Sequence, residues 1–522
     1  MNEEVTIRAL IEESFRKYKN LPAIASAGKA ALSYGELEEK VYNLASDLLI
    51  RGISKGDKIA ILADNSPTWV IAYLSTVVLG AVAVPILTGF PEADIHHIIR
   101  NSESVALFVG DKYRAALEGM ESNHLHSVYS IEDFSLEERG KIKGGTAQNI
   151  RKKLTRKDLT LKEKKEIADQ LSRPEEKDLA AIIYTSGTTG SSKGVMLTHK
   201  NIASNVINSI KKFPIDSNDR FLSILPLAHT FEATGGMLCP LTAGVNIFYL
   251  EGLPTPQKLL AAMESVQPTG VLTVPLVVDK IYRKRILPKI QASPMLRTMY
   301  RLPAFRKYIN RKAGAKMIES FGGRLRFFMF GGASLNPDVE TYLRDASISY
   351  STGYGMTETA PILTINPFGK VKFGSCGQPI PGIDITIDGP DPMTGIGEIM
   401  VKGSNVMKGY YKNEAATRAI LQKDGWLHTG DLGYFDGEGY LFIKGRSKNV
   451  IVGPSGENIY PEIIEQQLLL SPYIQQVIVY EKKGKIIAKA YPDYDTITSE
   501  FSDQKREEEY KRYLGENSQR DQ

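Results

Sequence analysis

A buried strand that runs into a polar, glycine-rich hairpin sets the terms for the whole chain. Leu179-Ala180-Ala181-Ile182-Ile183 is an apolar run of strand length. Val195-Met196-Leu197-Thr198-His199 reads as a second short strand. Between them stands Tyr184-Thr185-Ser186-Gly187-Thr188-Thr189-Gly190-Ser191-Ser192-Lys193-Gly194. Glycines let a backbone bend and approach a ligand closely. Successive N–H groups and hydroxyls can surround phosphate oxygens, and Lys193 adds a positive charge. A plain flexible turn needs none of these groups. The pattern also differs from the P-loop, in which Lys-Ser/Thr opens a helix. Here two residues part Gly187 from Gly190, and a glycine and a strand follow Lys193.

Strand and helix signals alternate upstream. A helix is expected before the short strand Ala23-Ile24-Ala25. Ser33 and Glu36 make a capping-box pattern for a helix that reaches Arg51 and ends at Gly52. Lys58-Ile59-Ala60-Ile61-Leu62 is a strand, and Asn65-Ser66-Pro67 opens a helix. Residues 68–87 are almost wholly apolar and long enough to span a bilayer. Gly80 and Pro85 interrupt that run, so a buried helix over 67–79 and a strand over 81–84 account for it. Residues 95–101 read as helix and Ala106-Leu107-Phe108-Val109 as strand. Such alternation implies a parallel α/β layer.

The chain has 522 residues, enough for more than one domain. A net charge of +5 spread over that length does not argue for nucleic acid. Cys239 and Cys376 are the two cysteines, which suits a reducing compartment and leaves no zinc cluster. The first residues are acidic and lack an apolar signal core, so a cytoplasmic protein is expected. Two basic stretches stand out. Residues 139–177 read as a solvated helix and loop, with an anionic membrane surface as the alternative. Residues 280–316 mix Leu, Met, Phe and Tyr with Arg and Lys, which reads as packed helices, with peripheral membrane contact as the alternative.

Downstream strands end in chemistry-bearing residues. Phe221-Leu222-Ser223-Ile224-Leu225 leads to His229-Thr230-Phe231-Glu232. A lone histidine after a strand is usually structural, and His229 is read as a gate rather than a proton donor. Gly270-Val271-Leu272-Thr273 is another strand. Arg326-Phe327-Phe328-Met329-Phe330 runs into Gly331-Gly332-Ala333, whose small size leaves room for a flat ring. Tyr354-Gly355-Met356-Thr357-Glu358 offers an aromatic for a base, a hydroxyl for a phosphate and a carboxylate for Mg²⁺. Residues 371–444 read as all-β. Within them Trp426-Leu427-His428-Thr429-Gly430-Asp431 precedes the turn Asp436-Gly437-Glu438-Gly439. A helix from Pro461 and a strand over 476–479 follow.

Taken in order from about residue 30 to 490, these motifs resemble the AMP-forming adenylating enzymes. That superfamily holds acyl-CoA synthetases, firefly luciferases and peptide-synthetase adenylation domains. The segments at 226–232 and 280–316 look most like long-chain fatty acid–CoA ligases. The resemblance implies an α/β fold with a large N-terminal domain of parallel α/β sheets and a small β-barrel-like subdomain, over residues 1–445. It implies a small mobile α+β C-terminal domain over residues 446–522. It implies ATP, Mg²⁺ and coenzyme A as cofactors and a fatty acid as substrate, with no nucleic acid and with peripheral contact on the inner membrane surface as an option.

Site roles follow from the same resemblance, residue by residue. Thr185, Ser186, Gly187, Thr188, Thr189, Gly190 and Lys193 would hold the β- and γ-phosphates. Thr357 would hold the α-phosphate and Glu358 the metal. Tyr354 with Gly355, and Gly331, Gly332 and Ala333, would hold adenine. Asp431 and Arg446 would hold the ribose, and His229 would line the acyl and acceptor approach. Lys448 would be the hinge, and Gly456 and Glu457 would lie in the loop that lines the thiol tunnel. The family's late lysine has no counterpart here. Lys485 comes too early, and Lys505 and Lys511 have ordinary surface spacing on an expected helix. The C-terminal domain is therefore expected to be short by one or two elements. Two alternatives follow, a ligase that passes the acyl group to a carrier protein and an impaired protein that only binds nucleotide or acyl ligand.

Overall fold

Helix starts follow local capping chemistry. The Ser33 hydroxyl accepts the Glu36 N–H while the Glu36 carboxylate accepts the Ser33 N–H, which opens the helix Tyr34–Ile50. Ser66 caps Pro67–Val78, with proline in the first turn where its missing N–H is harmless. That helix is buried from Trp69 to Val78 on every face. The apolar run at 68–87 is thus a core helix followed by the strand Val82–Pro85. Among the described residues no helix is long and apolar enough to cross a membrane.

The computed structural model describes residues 5–138, 159–185, 192–252, 254–291, 293–452, 458–471, 473–482, 484–494 and 497–498. Two large sheets form its frame. In the nine-stranded sheet, Pro22–Ser26, Asn246–Tyr249, Arg220–Ser223, Gly270–Thr273, Phe327–Phe330 and Tyr350–Gly355 lie side by side in parallel. Short antiparallel strands close both of its edges. The eight-stranded sheet has a parallel centre made of Val82–Pro85, Lys58–Leu62, Ala106–Val109 and Ser127–Ser130. Leu179–Thr185 adds to it in parallel and turns back as Lys193–Thr198. The two-residue strand Gly409–Tyr410 pairs onto that hairpin.

One apolar core joins the sheets. Ile24 and Ile247 of the first share a buried cluster with Ile59 and Val195 of the second, through the helices Tyr34–Ile50, Pro67–Val78 and His199–Ile210. The expected barrel-like subdomain is a four-stranded antiparallel sheet of Ile383–Asp388, Gly397–Gly403, Leu427–Phe435 and Leu441–Arg446. After it come the helix Pro461–Leu468 and the hairpin of Ile474–Lys482 with Lys485–Pro492. The Arg283 guanidinium donates to the carbonyl oxygens of Leu469 and, at 2.8 Å, Leu470. That contact ties this last section to the main body.

Three expectations need correction or refinement. Residues 371–444 are not all-β, because Asn413 caps a helix Glu414–Ile420 within them. Of the basic stretch at 139–177, residues 139–158 lie outside the described residues, and Leu161–Ser172 is a helix that packs rather than standing free. Its Lys165 pairs with Glu38 and its Lys164 donates to Asn43. The segment at 280–316 forms the helices Leu287–Gln291, Pro294–Tyr300 and Pro303–Ser320 after a π-helical turn Tyr282–Ile286. Its Tyr282, Ile286, Ile290 and Met317 join a core with Phe321, Phe328 and Tyr342. The expected late helix carrying Lys505 and Lys511 lies outside the described residues.

Candidate active site

The carboxyl ends of the parallel strands, the 179–198 hairpin and the four-stranded sheet meet around a cavity of about 730 Å³. Ligands in open α/β sheets gather at such strand ends. Thr185 and Lys193 face each other across the mouth of the hairpin, as paired residues on its two strands. Both line the cavity. Residues 186–191, with Ser186, Gly187, Thr188, Thr189 and Gly190, lie outside the described residues, as do Gly456 and Glu457.

A second cluster stands beside Lys193. Its ammonium lies 5.3 Å from the centre of the Tyr410 ring. The Tyr410 hydroxyl donates to Glu358 Oε1 at 2.7 Å. Glu358 is buried, and its backbone carbonyl accepts the Met407 N–H. Neighbouring Thr357 Oγ1 is 3.2 Å from Thr230 Oγ1. Among the described residues no group of three or more His, Cys, Asp and Glu could hold a metal on protein ligands alone. Mg²⁺ usually keeps water and binds through one or two carboxylates plus phosphates. A single Glu358, with one oxygen held by Tyr410, fits that mode of binding.

On the opposite wall the Tyr354 hydroxyl donates to Asp431 Oδ2 at 2.6 Å, and Arg446 Nε lies 3.0 Å from Asp431 Oδ1. Burial raises the Asp431 carboxyl above the ordinary carboxylate range, while Tyr354 and Arg446 oppose that rise. The loop that carries Asp431 is pinned by Glu398, which accepts the Gly430 N–H and bonds His428 Nδ1, both at 3.0 Å. Gln422 Nε2 lies 2.7 Å from His428 Nε2. An amide nitrogen only donates, so Nδ1 carries the proton and donates to Glu398.

The remaining wall is aromatic. The His229 ring opens on the cavity, its Nδ1 accepts the Phe231 N–H at 3.2 Å, and burial lowers its pKa. Such a ring is neutral and poorly suited to give a proton. Phe231 packs on Gly331 so closely that a Cβ there would sit 2.9 Å from the ring's Cζ. A Cβ at Gly355 would sit 1.9 Å from the Pro361 carbonyl oxygen. Both glycines are needed for close approach. Behind this wall Glu232 starts a π-helical turn, Glu232–Leu238, fully buried and with neither carboxyl oxygen hydrogen-bonded.

Of the residues singled out from the sequence, Thr185, Lys193, His229, Gly331, Gly332, Tyr354, Gly355, Thr357, Glu358, Arg446 and Lys448 all line this one cavity. Asp431 is joined to it through Tyr354 and Arg446. Ala333 is exposed and does not line it. Lys193 and Lys448 are the lysines that line it among the described residues. Tyr410, Glu398 and His428 also line it, and the sequence reading gave them no role. No local pattern marks Tyr410, which reaches Glu358 only because Gly409–Tyr410 pairs with the hairpin strand.

Residues 11–411 match a family described as AMP-binding enzyme. The chloroplastic long-chain-fatty-acid–[acyl-carrier-protein] ligase AEE15 of Arabidopsis thaliana is 29% identical, covering 86% of this chain and 70% of that protein. The long-chain-fatty-acid–CoA ligase 1 of Cavia porcellus is 31% identical, covering 90% of this chain and 70% of that protein. Among solved structures, ATP-bound MatB from Rhodopseudomonas palustris is similar with a TM-score of 0.72 and 26% identity, covering 94% of this chain and 89% of that one.

Proposed function

The chain belongs to the AMP-binding enzyme family of adenylate-forming acyl ligases, and on that premise we propose that it joins a long-chain fatty acid to coenzyme A at the expense of ATP. The observation that carries this reading is the convergence on one cavity of Lys193, the Glu358–Tyr410 pair and the Tyr354–Asp431–Arg446 set. The long-chain preference rests on the relatives' names and on the 226–232 and 280–316 segments.

A thiol attacks a carboxylate poorly, because the departing oxygen is a poor leaving group. Activation solves this in two steps. A carboxylate oxygen attacks the α-phosphorus of ATP, and pyrophosphate leaves. The thiol then attacks the acyl carbonyl, and AMP leaves with the oxygen. The first step depends on positioning and on neutralising charge. Thr185 and Lys193 would hold the outer phosphates, and Thr357 would hold the α-phosphate. Asp431 and Arg446 would fix the ribose, with Tyr354 holding the Asp431 carboxylate in place. Mg²⁺ held by Glu358 would draw charge from the phosphates. His229 and Phe231 would guard the approach of acid and thiol. Lys448 lies on the single turn Ser447–Asn449 just after the last strand of the four-stranded sheet. Rotation there would exchange one catalytic face for the other. Residues 1–445 and 446–522 are proposed as the two moving parts.

Pyrophosphate release and thioester formation, followed together with palmitate, octanoate and acetate, test the reading. Both products with palmitate support it, and neither product with any acid overturns it. A carrier-protein ligase is the second reading, favoured by the likeness to the Arabidopsis enzyme. It predicts pyrophosphate release with acyl transfer to carrier protein and none to coenzyme A. Acyl-CoA from preformed acyl-AMP without pyrophosphate release from ATP would mean that the second step survives alone.

A further inference from the structure

Between Lys280 and Ile318 the chain holds twelve Lys and Arg and no Asp or Glu. The whole chain carries only +5, so the rest of it carries −7. Charge is therefore segregated onto one helical lobe. Arg283 pairs with Asp279 and Arg306 with Asp345. The other ten, including Arg297, Arg301, Lys307, Arg311 and Lys312, are exposed.

The same lobe exposes large apolar side chains. Met295 is 70%, Leu302 59% and Tyr308 54% exposed. The helix Pro294–Tyr300 buries none of its residues. Pro303–Ser320 buries only Asn310, Gly314 and Met317. The turn at 301–302 and the first two residues of the second helix are all exposed. Apolar tips standing singly among long cationic side chains match the layered polarity of a lipid headgroup region.

We propose that this lobe docks on an anionic bilayer, with Met295, Leu302 and Tyr308 entering the headgroup layer and Arg297, Arg301, Lys307, Arg311 and Lys312 meeting the lipid charges. The occupant follows from charge complementarity and from the separate apolar tips, which a headgroup layer accepts one by one. The proposal stands on the lobe's charge and exposure and is independent of the acyl reading.

The test is flotation of the full chain with vesicles of phosphatidylcholine alone and of phosphatidylcholine mixed with phosphatidylserine. Binding is expected only to the mixed vesicles, and it falls with added salt. Each cation near such a surface is worth about fivefold in partitioning. The quadruple variant Arg297→Gln, Arg301→Gln, Lys307→Gln, Lys312→Gln should thus lose nearly three orders of magnitude, about 600-fold. The double variant Met295→Ser, Leu302→Ser should bind the same vesicles about tenfold more weakly. Both variants should melt at the parent's temperature, since none of these side chains lines the cavity or joins a core. No binding to mixed vesicles, equal binding to neutral ones, or parental binding by the quadruple variant overturns the proposal. Capture of an acidic carrier protein through these cations, without vesicle binding, would assign the lobe to a protein partner and likewise overturn it.

Discussion

Replacing Glu232 with glutamine should flatten the dependence of stability on pH. Its carboxyl is fully buried and neither oxygen is hydrogen-bonded. Burial pushes its pKa from the ordinary 4.5 up to about 8, and the nearby Ser223 hydroxyl, which makes no well-formed hydrogen bond to it, opposes the rise. In the unfolded chain the group ionises near its ordinary value. Below that value both states are protonated, and the full stability is present. Between the two values the unfolded state loses its proton while the folded state keeps it, so stability falls as pH rises. Above about 8 both states are ionised and the loss is complete. At 1.36 kcal/mol for each tenfold, the gap comes to about 5 kcal/mol.

Glutamine keeps the shape and cannot ionise. Relative to the parent, Glu232→Gln should therefore gain up to about 5 kcal/mol between about pH 5 and pH 9. With an unfolding entropy of about 2 cal/mol/K per residue, a unit of this size gains about 5 °C in Tm over that range. Differential scanning calorimetry of both proteins at one scan rate and one ionic strength would measure it. Only the difference between variant and parent is used, so the other titrating groups cancel. A difference that stays flat from about pH 5 to pH 9 would refute the reasoning and show that the carboxyl is hydrated or partnered in the folded protein.

Other changes act on the cavity itself. Glu358→Gln should lower pyrophosphate release by about two orders of magnitude at saturating ATP with little change in melting temperature; an unchanged rate would remove Glu358 from the metal role. Tyr410→Phe deletes one hydrogen bond to Glu358 and keeps the ring near Lys193. It should raise the Mg²⁺ concentration for half-maximal rate about fivefold, as read from a Mg²⁺ titration. Asp431→Asn leaves the Tyr354 and Arg446 contacts without a charge between them. It should raise the KM for ATP about tenfold and leave the KM for the acid unchanged.

How far the sequence reached can be judged at particular residues. Ser33 with Glu36, and Ser66 with Pro67, signal helix starts within four residues, and both helices begin there. Cavity residues such as Gly331, Tyr354 and Glu358 were legible because small or polar motifs directly follow apolar strands. Pairing partners were not. Pro22–Ser26 lies beside Asn246–Tyr249, more than two hundred residues later, and nothing local encodes that choice. The helix Glu414–Ile420 was missed because it is barely two turns long and rests on one cap, Asn413. Tyr410 was missed for the same reason as the sheet order, since its role arises only from a long-range strand pair.

The tie between Arg283 and the end of the helix Pro461–Leu468 has its own bearing on how this sequence can drift. One partner is a side chain, and the other is a pair of main-chain oxygens. Any residue at positions 469 and 470 supplies the same two acceptors. That contact is therefore indifferent to side-chain changes at 469 and 470 and vulnerable at the Arg283 codon, whereas the neighbouring Lys284–Asp493 pair, 3.9 Å apart, can be lost from either side. A change at Arg283, far from the chemistry, would loosen the hold on the small section without altering any side chain that lines the cavity.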